Sequence, residues 1–371
     1  EEADRRRERT RSLATHLDDI RKGSASPALM YELAGVWHGL YGDIRGQSEA
    51  ERFDAYVENG QQMRIAAEAG FRAIVLRDGL PSPDDILSLY AKQKEFLVAR
   101  ACLTGMDLLW QSDPSTVSGL SAIQIEQMVL FRLTTGTGNT PPWFWHVALQ
   151  HPEAFSSIYG RFAQRVYKRR DSHLPFLYEL ENDRRLAMVA RHACPQLLRT
   201  FPLRARKGLF NYLSGALKGC LAHNPNALRA LVQERLNNPH LEPVQRTYWL
   251  TAGAALDPDR YQADLLDHIS RSQPRREIAI SFLTDRWGSV LPGTSWSPTI
   301  IGYLLQRLIP LASFEQRDGF LTPEVRRGRQ VEGLLAKLSS IPTDKAAAEF
   351  DHLLSLKLSA AAEARIRHAR F

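Results

Sequence analysis

The sequence predicts an all-α protein, an irregular HEAT-like helical-repeat solenoid, with an irregular helical bundle as the alternative. Three observations predict it. Helix starts recur as a cap residue followed by proline, as in Ser26-Pro27, Ser82-Pro83, Asn224-Pro225, Asp257-Pro258 and Ser297-Pro298. The cap oxygen accepts from free backbone N–H groups and proline's fixed φ suits the first helical position. Apolar residues fall at helical spacing, and no stretch alternates as a strand would. The starts at Asn224, Asp257 and Ser297 are 33 and 40 residues apart, the length of one helix pair in a repeat stack.

Taken in order, residues 1–22 read as a charged helix with a narrow stripe of Leu13, Leu17 and Ile20. Ser26-Pro27 opens a helix carrying Leu29, Leu33, Val36, Trp37 and Leu40. Ser48 caps the next, with Glu51 at the capping-box position. Residues 61–76 are Ala-rich and amphipathic, and Asp78–Pro83 is a turn. Ser82-Pro83-Asp84-Asp85 is a strong start, its acids favoured by the helix dipole. The pattern from Ile86 to Trp110 fits one long helix or two, residues 111–121 are turn-rich, and 122–133 are helical.

Residues 134–142 form the most loop-like stretch and mark the boundary between an N-terminal helical region, 1–133, and a repeat region, 143–371. His151-Pro152-Glu153 restarts a helix that ends at Tyr167-Lys168-Arg169-Arg170, and short helices follow through Pro195 and Pro202. The clearest units come next: Leu209, Leu213, Ala216, Leu217 and Cys220 share a face, and Leu228, Leu231, Val232 and Leu236 share another. Val244, Tyr248, Ala252 and Ala255 follow, then Tyr261, Leu265 and Ile269, then Ile278, Phe282 and Leu283. Ser297, Thr322 and Ile341 precede the last starts, and Arg365, Arg367 and Arg370 give a basic tail.

A chain of 371 residues can bury a large core, and its 44% hydrophobic and 24% charged content is ordinary for a soluble cytoplasmic protein. No apolar run approaches the roughly 20 residues that span a bilayer, so no membrane partner is expected. The opening Glu1-Glu2-Ala3-Asp4-Arg5 has neither a starting Met nor a signal-peptide core, which reads as a piece cut from a longer protein. Cys102, Cys194 and Cys220 are odd in number and far apart, as buried reduced thiols are.

Catalytic, cofactor and metal chemistry find no footing. The Gly-rich loop Thr135–Thr140 lacks the lysine of a phosphate-binding loop and runs into Pro141-Pro142. The eleven histidines show no HExxH or ligand spacing, and no GxSxG or Cys–His arrangement occurs. Asp18-Asp19 and Asp84-Asp85 sit at helix ends, where dipole and solvation account for them. The expectation is therefore a chain with no catalytic, cofactor or metal site.

Two features point to binding. Trp143-Phe144-Trp145 places three aromatics in a row, which cannot all face one core, so one is expected at a protein-interaction surface, with core packing of two rings around a turn as the competing reading. Residues 161–207 hold twelve Lys/Arg and four acids, a net +8 against +7 for the whole chain. Arg165, Lys168, Arg169 and Arg170, then Arg204, Arg206 and Lys207, with Tyr167 and Phe201 interleaved, fit nucleic-acid phosphates or an acidic protein surface.

Arg185–His192, Arg246–Gly253 and Asp257–Tyr261 resemble the helical C-terminal regions of large bacterial NTPases of the NACHT or STAND type, many of them antiphage defence proteins. The resemblance implies a ligand-sensing or scaffold role, without the NTPase module, and covers roughly a third of the chain. The combined expectation is a non-catalytic solenoid that binds a protein partner, with nucleic-acid binding through 161–207 as the alternative.

Overall fold

The computed structural model describes residues 2–42, 44, 46–135, 140–169, 173–284, 296–314 and 322–370. Among the described residues the regular elements are twenty-two α-helices and three short 3-10 turns, with no strand, so the protein is all-α. The chain divides into two compact units, Glu1–Pro175 and Phe176–Phe371. The 134–142 stretch read as a boundary falls inside the first unit, and Thr134 and Thr135 belong to a helix.

The first unit runs α1 (Glu2–Ala14), α2 (Leu17–Arg21), α3 (Pro27–Trp37), α4 (Glu49–Tyr56), α5 (Gly60–Leu76) and α6 (Pro83–Ala91). It continues through α7 (Val98–Ser112), α8 (Pro114–Ser118), α9 (Ala122–Thr135), α10 (Pro142–Gln150) and α11 (Pro152–Lys168). The expected caps are present: Ser26 accepts from the Leu29 N–H, Ser82 from that of Asp85, and Ser48 with Glu51 closes a full capping box. The Ile86–Trp110 pattern is two helices, α6 and α7. They part where Gln93 adopts a left-handed φ of 59°, which ends α6. Helix α1 stops before Thr15-His16, and α8 occupies part of the turn-rich 111–121 because Asp113 caps it.

Helices α5 and α7 form the centre of this unit: α5 packs on α2, α3, α4 and α7, and α7 on α3, α8, α9 and α10. Their crossings require glycine. A Cβ on Gly105 would stand 1.9 Å from the Phe71 carbonyl oxygen, and one on Gly70 would stand 1.9 Å from that of Ile20. The obstacles are backbone atoms, so the helices themselves would have to part. Gly105→Ala is expected to lower unfolding free energy by about 2–3 kcal/mol despite alanine's better helix propensity. Urea denaturation measures it, and an unchanged midpoint would mean that α5 and α7 cross less closely.

The second unit runs α12 (Leu177–Asn182), α13 (Ala187–Thr200), α14 (Phe210–His223), α15 (Pro225–Leu236), α16 (Pro243–Leu256) and α17 (Pro258–Ser270). It ends with α18 (Gln273–Leu283), α19 (Pro298–Leu308), α20 (Pro323–Ser339), α21 (Asp344–Ser355) and α22 (Ala360–Arg370). Asn224, Asp257 and Thr322 cap as expected, whereas the last start is capped by Thr343 rather than set by Ile341. From α13 to α18 each helix packs on its chain neighbours, and α13, α14 and α16 also reach the next helix but one.

Pro195 does not end a helix; it lies inside α13. Proline leaves the carbonyl four residues back without its usual donor, here that of Arg191. The Asn224 side chain replaces that donor: Nδ2 donates to Arg191 O at 2.9 Å while Oδ1 caps α15 by accepting from Ala227 N. Two buried glutamines join their helices to earlier connections in the same way. Gln127 Nε2 donates to Pro81 O at 3.0 Å, and Gln245 Nε2 to Pro202 O and Leu203 O at 2.8 Å each.

Candidate interaction site

Many arginines of this chain have structural duties. Arg52 donates from its Nε to Val36 O at 3.0 Å, at the end of α3, and Arg235 donates to Leu198 O and Arg199 O at the end of α13. A guanidinium at a helix C-terminus meets both the orphan carbonyls and the negative end of the dipole. Others pair with acids: Arg64 and Arg72 with Glu68, Arg271 with Asp267, Arg367 with Glu363.

The basic segment is different. Arg161 is spoken for by Glu126 and Asp84, and Arg185 by Asp183. Arg169 lies over the Tyr90 ring at 4.0 Å. Arg170 lies outside the described residues. Among the described residues, Arg165 and Lys168 in the first unit have no side-chain hydrogen bond or ion pair, and neither do Arg184, Arg191, Arg199, Arg204, Arg206 and Lys207 in the second. Arg191 and Arg199 are both exposed on α13, eight residues apart, so about 12 Å along the helix.

Arg204 and Arg206 line a cleft of about 580 Å³ in the second unit. One wall is the connection between α13 and α14; the other is Pro239, His240, Leu241 and Glu242 of the connection between α15 and α16, with Pro243, the first residue of α16. Arg204 is exposed, Arg206 half-buried and Lys207, just beyond the wall, exposed. The arginine-bearing wall is held at two points. The fully buried Gln245 grips the carbonyls of Pro202 and Leu203, and Glu242 Oε2 accepts from the Ala205 N–H at 3.3 Å. Glu242 is the N-cap residue of α16 but its side chain makes no cap bond, so the first turn of that helix keeps free N–H groups beside the cleft. The sequence displays the cations; it does not display Pro239–Pro243 as their opposite wall, because that pairing spans more than thirty residues.

The aromatic triplet is divided. Trp143 and Phe144 are fully buried in α10, so neither can form an interaction face, and Trp145 is half-exposed, the one ring of the three at the surface. The reason is tertiary: Trp143 Nε1 donates to Asp107 Oδ1 at 2.8 Å, and Phe144 meets Phe155 edge-on at 5.3 Å. Within the Thr135–Thr140 loop, residues 136–139 lie outside the described residues.

Of the groups that carry chemistry, all three cysteines are buried. Burial pushes the Cys102 and Cys220 thiols up to about 12 and that of Cys194 well above its ordinary value. A thiol held protonated and dry is a poor nucleophile. No thiol is expected to react with a disulfide reagent at pH 8 in the native protein and three are expected to react in denaturant; one fast native thiol would overturn this. The structure also brings together Ser118 Oγ and His146 Nε2 at 3.1 Å, twenty-eight residues apart in sequence, with the imidazole against Trp110. Among the described residues no carboxylate orients that histidine, which a nucleophile–base pair requires. Among the described residues no group of three or more His, Cys, Asp or Glu would hold a metal ion, and no helix is long and apolar enough to cross a membrane.

Comparison with protein-family models, with curated proteins and with solved structures returns no match to this chain.

Proposed function

We propose that this chain is a non-catalytic helical-repeat module, a scaffold or sensor, that binds an acidic protein partner through the second unit. One observation carries the reading. Among the described residues, the arginines and lysine of 184–207, apart from Arg185, pair with no acid and make no side-chain cap bond, in a protein whose other arginines so often do one or the other. Charged side chains left without internal duties are available to a partner, where complementary charge sets on-rate and specificity. The neighbour-to-neighbour packing of α13–α18 supports a solenoid-like stack. The resemblance to the sensor regions of NACHT and STAND-type NTPases adds a defence role to the same proposal.

A second reading is nucleic acid, favoured by the spacing of Arg191 and Arg199 along one helix. Fluorescence anisotropy with a labelled polyglutamate and with duplex DNA, at about 50 and 200 mM salt, separates the two. The acidic-partner reading expects the polypeptide to bind more tightly than DNA of equal charge. DNA that binds in the micromolar range or tighter, falling steeply with salt while polyglutamate does not compete, would replace it with the nucleic-acid reading.

A further inference from the structure

We propose that the cleft between the α13–α14 and α15–α16 connections is the recognition site for a short acidic polypeptide segment. Arg204 and Arg206 take its carboxylates, and the exposed Pro239 and Pro243 pack its apolar side chains. This rests on the acidic-partner reading above and goes further, to the place and the chemistry of the occupant.

The cleft has the size of a ligand site, about 580 Å³, enough for a few side chains and too small for a duplex. Its chemistry is mixed. Of the eight lining residues, Ala205, Pro239, Leu241 and Pro243 are apolar, Arg204 and Arg206 are cationic, and His240 and Glu242 complete it. A polypeptide supplies apolar and acidic side chains at alternating positions of an extended strand. A nucleic-acid backbone offers phosphate at every step and no aliphatic side chain for the proline-bearing wall.

The wall is also ready before anything binds. Pro202 and Leu203 are pinned by Gln245 and Ala205 by Glu242, so Arg204 sprouts from backbone fastened on either side, and Arg206 from backbone held at Ala205 and by its own carbonyl, which accepts from the Leu209 N–H. Little ordering of the main chain is left for binding to impose, which is what preorganisation contributes to affinity. Guanidinium groups so placed suit the planar, two-pronged geometry of a carboxylate.

The test uses the full chain and a fluorescein-labelled twelve-residue peptide of alternating Glu and Leu, read by anisotropy at about 50 mM salt. Two double variants are compared: Arg204→Glu with Arg206→Glu, and Arg184→Glu with Arg191→Glu. All four side chains lie outside the core, and circular dichroism checks that each variant folds. Reversal at 204 and 206 is expected to weaken the peptide by about a hundredfold, tenfold for each arginine. Reversal at 184 and 191, which leaves the cleft arginines in place, should weaken it by only about threefold, through lost long-range attraction. Glu242→Gln keeps an acceptor for Ala205, and should tighten the peptide.

Equal losses in the two double variants, or a loss only at 184 and 191, would remove the cleft and leave the acidic-partner reading standing. Wild type that binds neither the peptide nor polyglutamate would remove both. Single-stranded DNA of equal charge that binds, where the peptide does not, and is lost on reversal at 204 and 206, would overturn the occupant.

Discussion

Trp143→Ala should destabilise the protein by about 3–5 kcal/mol and leave partner binding by the second unit untouched. The indole is fully buried and packs edge-on against Phe144 at 5.9 Å, in a row that continues through Phe155 to Tyr159. Truncation removes its transfer free energy and opens a cavity that those rings cannot fully close. It also removes the N–H that Asp107 accepts. Trp143→Phe isolates that second effect. It keeps most of the ring and should cost about 1–3 kcal/mol, the range for a buried group deprived of its donor.

The smaller loss should depend on pH. Burial holds the Asp107 carboxyl above the ordinary carboxylate range, with the indole and Arg132 pulling the other way. Without the indole the folded-state pKa rises further. The ionised form then costs more, and protonation relieves the cost. The Trp143→Phe deficit should therefore be larger at pH 7.5 than at pH 5, as read by urea denaturation at each. A surface hot spot would behave in the opposite way, with stability kept and affinity lost.

What the sequence discloses and what it hides divide by range. The starts at Ser26, Ser48, Ser82, Asn224, Asp257 and Thr322 are legible because a cap is settled within about three residues, by one side-chain oxygen and often one proline. Pro195 misleads for the converse reason: the donor that lets α13 continue sits on Asn224, a helix and a half away. The aromatic triplet is legible only as far as three rings not sharing one core; which two are buried is not, because helical spacing says which rings share a face, never what lies opposite them. Asp107 and Phe155 are what lie opposite Trp143 and Phe144. The cationic segment was visible as composition. Which of its members are committed was not, since Glu126 answers Arg161 from thirty-five residues upstream, while no acid among the described residues answers Arg204 or Arg206. The same holds for Arg235, which lies in an ordinary amphipathic pattern and turns out to be buried.

Arg235→Ala is expected to cost roughly 3–5 kcal/mol, far more than a typical surface arginine. The side chain is 7% exposed, its guanidinium donates to Leu198 O at 2.7 Å and Arg199 O at 2.9 Å, and it lies 5.7 Å from the centre of the Trp249 ring. Hydrogen bonds from a charged donor contribute about 1.5–3 kcal/mol each, and truncation adds a void beside the indole. Burial lowers the guanidinium's pKa, with Glu234 opposing, and the charge is kept because it faces the negative end of α13. Arg235→Lys retains the charge but offers a compact ammonium in place of the planar fork, so it should recover only part of the loss. Guanidinium denaturation measures both, and amide exchange should quicken first in the last turn of α13. That turn feeds directly into the wall of the cleft, where Arg204 and Arg206 begin only a few residues later. Arg235→Ala should therefore also weaken the acidic peptide severalfold, although Arg235 does not line the cleft. Stability lost with affinity intact would mean that Gln245 and Glu242 alone hold the arginine wall in place.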